Sequence, residues 1–142
     1  MSHVSRYEIT IEWGDCDPAR IVFYPNYFAW FDRGSHHLLD ALGLGHDTLI
    51  EHYGVVGVPI AEASARFLVP SEYRQKIALE SRIESWAGRR FTILHQGFRD
   101  GTLLLEGREV RFFGVPHPEQ RGRLKAVPIP PDIIARFEED VR

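Results

Sequence analysis

Apolar and polar residues alternate with a period of two near the start of the chain. This period is typical of a half-buried β-strand, because successive side chains of a strand point to opposite faces. We therefore predict a first strand with one buried face. Its apolar positions are Tyr7, Ile9, Ile11 and Trp13, and its polar positions are Glu8, Thr10 and Glu12.

A second pattern, with apolar residues spaced by three and four, predicts a long helix from about residue 26 to residue 42. Pro25 suits the first turn, where a missing N–H costs nothing, and Gly43 is a suitable residue to end the helix. At about 1.5 Å per residue this helix is roughly 25 Å long. Its predicted buried stripe is Tyr27, Phe31, Gly34, Leu38, Ala41 and Leu42, with Trp30 beside it.

The rest of the chain is predicted to be mainly strands. A short helix is expected around residues 47–52, and Asp100-Gly101 marks a tight hairpin turn. The Pro-, Gly- and charge-rich residues 115–123 predict a loop. The expected strands cover residues 55–67 (bent or interrupted near Pro59), 76–86, 90–98, 102–114 and 124–127, with a terminal helix at 131–141.

This order of elements indicates an α+β fold, with one strand, one long helix and then a run of antiparallel strands. The helix must bury its apolar stripe, and an antiparallel sheet curled around it is the simplest arrangement. The length of 142 residues corresponds to about one domain, so we expect residues 1–142 to form a single domain.

Composition narrows the possible classes. The single cysteine, Cys16, excludes an internal disulfide and a multi-cysteine metal site. No stretch approaches about 18 consecutive apolar residues, so no transmembrane helix is expected. The first residues lack the apolar core of a signal peptide, and we expect a cytoplasmic protein.

The net charge of −3 argues against a nucleic-acid partner, which usually requires a basic excess. All basic residues except Lys76 and Lys125 are arginines. Arginine suits phosphate and carboxylate, although a genomic bias in composition is the better explanation for most of these positions. Arg89 and Arg90, at a predicted turn, are either a phosphate clamp or two solvated charges.

The segment Gly14-Asp15-Cys16-Asp17-Pro18 precedes the predicted helix and places two carboxylates around a cysteine. A carboxylate beside the unpaired N–H groups of a helix N-terminus is a plausible hydrolytic centre. Ordinary turn formation by aspartate is the alternative interpretation. The flanking carboxylates raise the pKa of a thiol, which favours a bystander cysteine over a nucleophile.

The histidines do not indicate a metal site. Asp32 and His36 share a helix face, but no third ligand accompanies them, so a surface ion pair is the better interpretation. His95 lies on a predicted strand with Phe91 and Ile93 on the same face. We therefore expect a core histidine whose hydrogen bonds are satisfied.

The run EWGDCDPARIVFYPNY, residues 12–27, continues through Trp30, Phe31 and Asp32. It closely resembles the motif of the 4-hydroxybenzoyl-CoA thioesterase family. The similarity continues in register through residues 56–60 and 65–67, and more loosely over nearly the whole chain. It implies a hot-dog fold, in which an antiparallel sheet wraps around one long central helix.

This resemblance implies hydrolysis of an acyl-CoA thioester. It assigns catalysis to Asp17, as a nucleophile or as a base that activates water, and it assigns to Tyr24 a backbone N–H that binds the thioester oxygen. Such N–H groups stabilise the oxyanion of a tetrahedral intermediate. The reaction needs no metal or separate cofactor, because coenzyme A is part of the substrate.

The resemblance also implies substrate contacts. It places Asp32 near the acyl ring, and Arg89 and Arg90 at the phosphates of coenzyme A, although Ala87-Gly88 replaces part of a more basic run. Val58 stands where the hydroxybenzoyl enzyme has a threonine. The acyl group is therefore expected to be hydroxybenzoyl, benzoyl, another aryl group or a medium-chain acyl group.

Members of this family assemble as homodimers or homotetramers with the site between subunits, so self-association is expected here. Three alternative functions stay open on the sequence. They are a thioesterase for aliphatic or carrier-protein-bound acyl groups, a non-catalytic acyl-CoA-binding module, and a hydratase or dehydratase. The last of these generally needs an Asp–His pair, and no histidine lies close to Asp17 in the sequence.

Overall fold

A computed structural model describes residues 2–138 and contains one five-stranded antiparallel sheet with the strand order β1-β3-β4-β5-β2. A long helix, α1, packs on one face of this sheet, which confirms the predicted α+β hot-dog arrangement. The large elements are β1 (Ser5–Thr10), α1 (Pro25–Ala41), α2 (His46–Tyr53), β2 (Ile60–Phe67), β3 (Lys76–Ala87), β4 (Arg90–Arg99) and β5 (Thr102–Phe112). A two-stranded sheet of β6 (Gly114–Pro116) and β7 (Leu124–Ala126) and a helix α3 (Pro131–Glu138) follow.

Helix α1 lies close to the sheet because two glycines leave room for it. A Cβ atom on Gly107 of β5 would lie 2.3 Å from the Phe31 ring, and one on Gly34 of α1 would lie 2.8 Å from Leu79. Such contacts are shorter than packed carbon atoms tolerate. The small residues therefore let the buried face of α1 contact the sheet directly.

Two apolar clusters lie along α1. The cluster at its N-terminal half joins Phe31 to β1, β3 and β5, and the cluster at its C-terminal half joins Leu38 to α2 and α3. The predicted stripe is buried except for Ala41, which is exposed, and Ser35 and Leu39 are buried in addition. Ala41 falls in the last turn, where the helix has reached the edge of the core.

The turns follow the sequence prediction. The β4–β5 hairpin turns at Asp100 (φ 51°) and Gly101 (φ 78°), which is the positive-φ pair of a tight antiparallel connection. Helix α1 ends before Gly43 (φ 71°), as predicted. Gly88 (φ 65°) turns the chain between β3 and β4.

Three boundary predictions were wrong. Strand β1 ends at Thr10, and Trp13 starts a 3₁₀ turn with two-thirds of its surface exposed (66%). The predicted interruption near Pro59 is confirmed, but the strand starts at Ile60 and not at residue 55. Before it, Gly57 forms an isolated bridge to Gly114, and Pro59 has no N–H for continuous pairing. Residues 114–116, expected to be a strand end and a loop, form β6 by pairing with β7. Residues 139–141 of the expected terminal helix lie outside the described residues.

Candidate functional site

The motif residues form a short two-armed loop that leads into α1. The Asp17 N–H donates to the Ile21 carbonyl at 2.9 Å, and the Phe23 N–H donates to the Asp15 carbonyl at 2.8 Å. Arg20, with φ 68°, turns the chain between the two arms. The pairing holds the loop in one shape, and its return arm runs directly into the N-terminus of α1.

Asp15 has a structural role in this loop. Its carboxylate accepts the Glu12 N–H at 2.8 Å and completes a reciprocal cap on the 3₁₀ turn Trp13–Asp15. Its carbonyl oxygen also accepts a hydrogen bond of 2.8 Å from the Asn26 side chain. Asp15 therefore connects the motif loop to the first turn of α1.

Asp17 lies on the outgoing arm, opposite Ile21, and is partly exposed. Its Oδ1 accepts the Ala19 N–H at 2.9 Å, which is the turn-stabilising contact that the sequence left as an alternative role. Among the described residues, no group donates a hydrogen bond to Oδ2. One oxygen thus anchors the carboxylate, and the other is available to a reacting group.

The Cys16 thiol lies between the two aspartates. Burial raises the pKa of the Cys16 thiol, and the charges of Asp15 and Asp17 raise it further. Its sulfur is 3.7 Å from the Glu12 carbonyl oxygen, a weak contact. A thiol with a raised pKa is a poor nucleophile at neutral pH.

Tyr24 caps the N-terminus of α1, and Pro25 occupies the first helical position. The Asn26 and Tyr27 N–H groups donate to Phe23 and Tyr24 carbonyls at 3.0 and 3.1 Å. The Tyr24 N–H has no acceptor in the part of the chain that the structure describes. It therefore offers an unpaired donor at the positive end of the helix, where negative charge is stabilised.

An apolar pocket of about 350 Å³ lies beside this helix end. Ile21, Tyr24, Tyr27 and Phe67 contribute to its lining, and Phe67 stacks on Tyr27 with ring centroids 5.4 Å apart. Its size and aromatic walls suit a small acyl group.

The predicted site residues fall into two groups at opposite ends of the sheet. Asp17 and Tyr24 lie where β2 ends and β5 begins, near Phe67. Val58 and Arg90 lie at the other end, where Arg90 pairs with Phe112 and the Pro59 carbonyl accepts the Phe112 N–H at 3.3 Å. Strand β2, with eight residues, runs from one group to the other and is roughly 25 Å long. One chain therefore does not bring them together.

Asp32 and Val58 are connected through Arg111, a residue that the sequence analysis did not select. The Arg111 guanidinium donates to Asp32 Oδ1 at 2.8 Å and to the Val58 carbonyl at 2.6 Å. Asp32 also pairs with His36 at 3.6 Å, and this confirms the predicted surface ion pair.

Arg111 continues into a buried polar network. Its guanidinium binds both oxygens of Glu109, at 3.1 and 3.0 Å, and Glu109 lies 3.0 Å from His95 Nε2. Ser35 donates to the same carboxylate, and Ser81 lies 2.6 Å from His95 Nδ1. His95 is fully buried with its partners satisfied, as predicted.

Burial alone would raise the pKa of Glu109. The hydrogen bonds from His95 and Arg111, together with the Arg111 charge, outweigh this effect and lower the pKa to about 2. The only sequence signal for this network is the alternation of residues along β5. Glu109 and Arg111 fall on the same face of the strand as Leu105 and Gly107. Charged residues in phase with apolar ones indicate a buried ion pair.

Arg89 and Arg90 are exposed at the β3–β4 turn. Arg89 donates to the Ala126 carbonyl at 3.0 Å, so the turn is attached to β7. This contact brings Arg89 to the strand that carries Lys125, the residue before Ala126.

Residues 2–138 contain no metal-binding cluster and no membrane-spanning helix. No group of three histidine, cysteine, aspartate or glutamate side chains within this range is arranged to hold a metal ion. The helices of the same range are too short or too polar to cross a membrane.

Comparison with known proteins gives a consistent result. A family model described as the thioesterase-like superfamily matches residues 11–137. Over 131 residues the chain is 35% identical to 4-hydroxybenzoyl-CoA thioesterase of Pseudomonas sp. (strain CBS-3), covering 87% of this chain and 90% of that protein. It is 28% identical over 86 residues to the putative acyl-CoA thioesterase YneP of Bacillus subtilis (strain 168), covering 61% of each.

Solved structures agree with this similarity. A D17N mutant of 4-hydroxybenzoyl-CoA thioesterase in complex with 4-hydroxybenzoyl-CoA superimposes with a TM-score of 0.85 and 31% identity, covering 94% of this chain and 98% of that one. A gentisyl-coenzyme A thioesterase superimposes with a TM-score of 0.77 and 30% identity, covering 91% and 98% of the two chains.

Proposed function

The chain belongs to the thioesterase-like superfamily and is an acyl-CoA thioester hydrolase, and we propose that it hydrolyses an aromatic acyl-CoA with Asp17 as the catalytic carboxylate. The main support is the backbone pairing between the arm of the loop that carries Asp17 and the return arm, which leads to the unpaired Tyr24 N–H. This pairing places a carboxylate and an N–H group that can bind an oxyanion in one fixed loop, beside an apolar pocket.

In the proposed reaction the thioester carbonyl accepts a hydrogen bond from the Tyr24 N–H at the end of α1. This bond polarises the carbonyl and stabilises the oxyanion that forms when the carbon is attacked. The C–S bond then breaks and coenzyme A leaves as a thiolate. Because a thiolate is a good leaving group, the reaction needs no strong general acid and no separate cofactor.

Asp17 takes one of two roles. As a nucleophile, its Oδ2 attacks the carbonyl carbon, and water then hydrolyses the resulting mixed anhydride to the free acid and aspartate. As a general base, Asp17 removes a proton from the water that attacks the thioester directly. Mass spectrometry of an acid-quenched early turnover distinguishes them, since only the nucleophilic route adds the acyl mass to the protein.

The proposed acyl end is formed by Asp32 and Val58. Asp32 offers a carboxylate to a hydroxyl group on the ring, and Val58 offers an apolar contact. Arg89 and Arg90 are proposed to bind the coenzyme A phosphates at the edge where Lys125 also lies.

We also propose that the functional unit is at least a homodimer. Strand β2 is a sheet edge with nearly every residue exposed, including Ile60 and Phe67, and an unpaired edge of this kind favours pairing with another strand. Antiparallel pairing of two β2 strands about a two-fold axis sets the Phe67 end of one chain beside the Ile60 end of the other. Asp17 of one chain then lies near Val58 of its partner.

The decisive experiment measures thiol release from 4-hydroxybenzoyl-, benzoyl-, phenylacetyl- and straight-chain acyl-CoAs. The wild-type protein is expected to release coenzyme A fastest from an aromatic thioester, and Asp17→Asn is expected to lose at least about 100-fold in kcat. Asp15→Asn is the matched control in the same loop: its amide oxygen still accepts the Glu12 N–H, so this variant is expected to keep much more activity than Asp17→Asn.

Each other outcome rejects a part of the proposal. Full activity of Asp17→Asn rejects the catalytic role of Asp17. A preference for straight-chain thioesters rejects the aromatic substrate in favour of an aliphatic one. Binding of acyl-CoA without any turnover by the wild type indicates a binding module instead.

A further inference from the structure

Arg111 makes two contacts that converge on the proposed acyl end. Its Nη2 donates to Asp32 Oδ1 at 2.8 Å, and its Nη1 donates to the Val58 carbonyl at 2.6 Å. Arg111 itself is buried, whereas the Asp32 side chain is 49% exposed. A single guanidinium inside the protein therefore connects two separate segments, α1 and the chain before β2, at the surface where substrate is proposed to bind.

The other side of Arg111 is fixed in the core. Glu109 accepts two hydrogen bonds from the guanidinium, at 3.1 and 3.0 Å, and is itself held by Ser35 of α1 and by His95 of β4. Because Glu109 faces His95 Nε2, the proton of the imidazole is assigned to this nitrogen. His95 Nδ1 then accepts from the Ser81 hydroxyl at 2.6 Å.

This arrangement restricts the motion of the guanidinium. Its planar fork is held by four hydrogen bonds to three residues: two to Glu109, one to Asp32 and one to the Val58 carbonyl. In the described part of the chain, no buried side-chain nitrogen or oxygen of the protein lacks a partner. Buried networks with all partners satisfied hold their members in one geometry.

We propose that Arg111 is a positioning residue for acyl-group recognition, which orients the Asp32 carboxylate and the Val58 segment so that the site selects acyl rings carrying a hydroxyl donor. The proposal rests on the proposed thioesterase function. Arg111 occupies Asp32 Oδ1, and no described residue donates to Oδ2, which is the oxygen that would accept the substrate hydroxyl. A site built to accept such a hydroxyl discriminates strongly against rings that lack one.

The test compares kcat and KM for 4-hydroxybenzoyl-CoA and benzoyl-CoA. The wild type is expected to prefer the hydroxylated substrate by about tenfold or more in kcat/KM. Arg111→Lys keeps the charge but loses the fork, so this preference should fall at least about fivefold, mainly through KM of the hydroxylated substrate. Asp32→Asn should lower the preference similarly, and the double variant should be no worse than Asp32→Asn alone, since both act on one contact.

The matched control is Arg108→Lys, on the same strand but the opposite face of the sheet. Arg108 also binds two carboxylates, Glu84 and Glu106, yet it contacts neither Asp32 nor Val58. This variant is expected to leave the substrate preference unchanged. Thermal unfolding and circular dichroism of every variant confirm that a folded protein is being measured.

Several results would overturn the proposal. It fails if folded Arg111→Lys keeps the wild-type preference or loses activity equally on both substrates. It also fails if the wild type does not prefer the hydroxylated substrate. If Arg111→Lys does not fold, Glu109→Gln replaces it as the test, because it weakens the hydrogen bonds that hold the buried side of Arg111. An unchanged substrate preference of Glu109→Gln rejects the proposal, and a reduced preference supports it. A wild type that hydrolyses neither thioester rejects the proposed function itself, and with it the role of Arg111.

Discussion

The His95 imidazole and the Glu109 carboxylate meet at 3.0 Å with both side chains almost completely buried. Burying a charged group in the folded protein has a high desolvation free energy, and only nearby opposite charges and hydrogen bonds compensate for it. Here Arg111 supplies the opposite charge and His95 and Ser35 supply hydrogen bonds. The buried polar network therefore depends on an ionised Glu109, and this dependence can be measured.

Stability should fall in acid because of Glu109. Its pKa is about 2 in the folded protein, against an ordinary value of 4.5. Since folding lowers this pKa, the stabilisation is complete above pH 4.5 and is lost as the pH falls towards 2. The gap corresponds to about 3 kcal/mol in the free energy of unfolding.

Urea unfolding between pH 2.5 and 7 checks this prediction. Glu109→Gln should be less stable than the wild type at neutral pH, and the difference should shrink towards pH 2.5. The exposed Glu51→Gln serves as the control and should follow the wild type at every pH. A difference between Glu109→Gln and the wild type that stays constant with pH contradicts the prediction.

Self-association should depend on β2 rather than on the other sheet edge, β1. A two-fold axis through two antiparallel β2 strands places the strand centre, near Ala63, opposite its own copy. Ala63→Lys therefore brings like charges together and should shift the protein to monomers with loss of most activity. Light scattering after size-exclusion chromatography measures the mass.

Glu8→Lys, in the middle of β1 and exposed, is the control for this change and should leave the mass unaltered. A monomeric wild type, or a Glu8→Lys variant that dissociates while Ala63→Lys does not, would show that β2 is not the interface.

Cys16 should be dispensable for turnover. Burial and the neighbouring Asp15 and Asp17 charges raise the pKa of its thiol, so little thiolate forms at neutral pH. Cys16→Ser is expected to keep kcat within about a factor of two of the wild type, and iodoacetamide should modify the native protein more slowly than free cysteine at pH 7. Loss of turnover in a folded Cys16→Ser would instead assign the thiol a catalytic role.

Gly107→Ala should destabilise the protein through the contact between α1 and the sheet. The added Cβ would lie 2.3 Å from the Phe31 ring, which is itself fully packed. Overpacking of this kind costs about 1–3 kcal/mol. Calorimetry should show a lower Tm for Gly107→Ala, whereas Gly14→Ala, with nothing within 4 Å of its new Cβ, should change Tm little.

Local signals in the sequence were enough to predict most elements. The spacing of Phe31, Gly34 and Leu38 fixed the long helix, and Asp100-Gly101 fixed a hairpin, because both depend on residues near each other in the chain. The boundaries at Trp13 and at residues 55–59 and 114–116 were wrong. Those ends are decided by which distant segment supplies a pairing partner, and alternation alone does not reveal it.

The candidate site also has one part that the local sequence predicted and one part that it did not. The motif around Asp17 and Tyr24 was evident in the sequence, because one continuous segment forms the loop and the helix end. The Asp32–Arg111 pair joins residues 79 positions apart, and its selection required the sheet register that turns Arg111 towards α1.

The sequence by itself therefore determined the order of elements, the chemistry of the motif loop and the family, since each is encoded by neighbouring residues. Only the tertiary structure decided that Asp17 and Val58 of one chain lie at opposite ends of the sheet. It also decided that Arg111 fixes Asp32 from inside the core. These relationships arise from antiparallel pairing and helix packing, which bring distant residues together according to strand length and register.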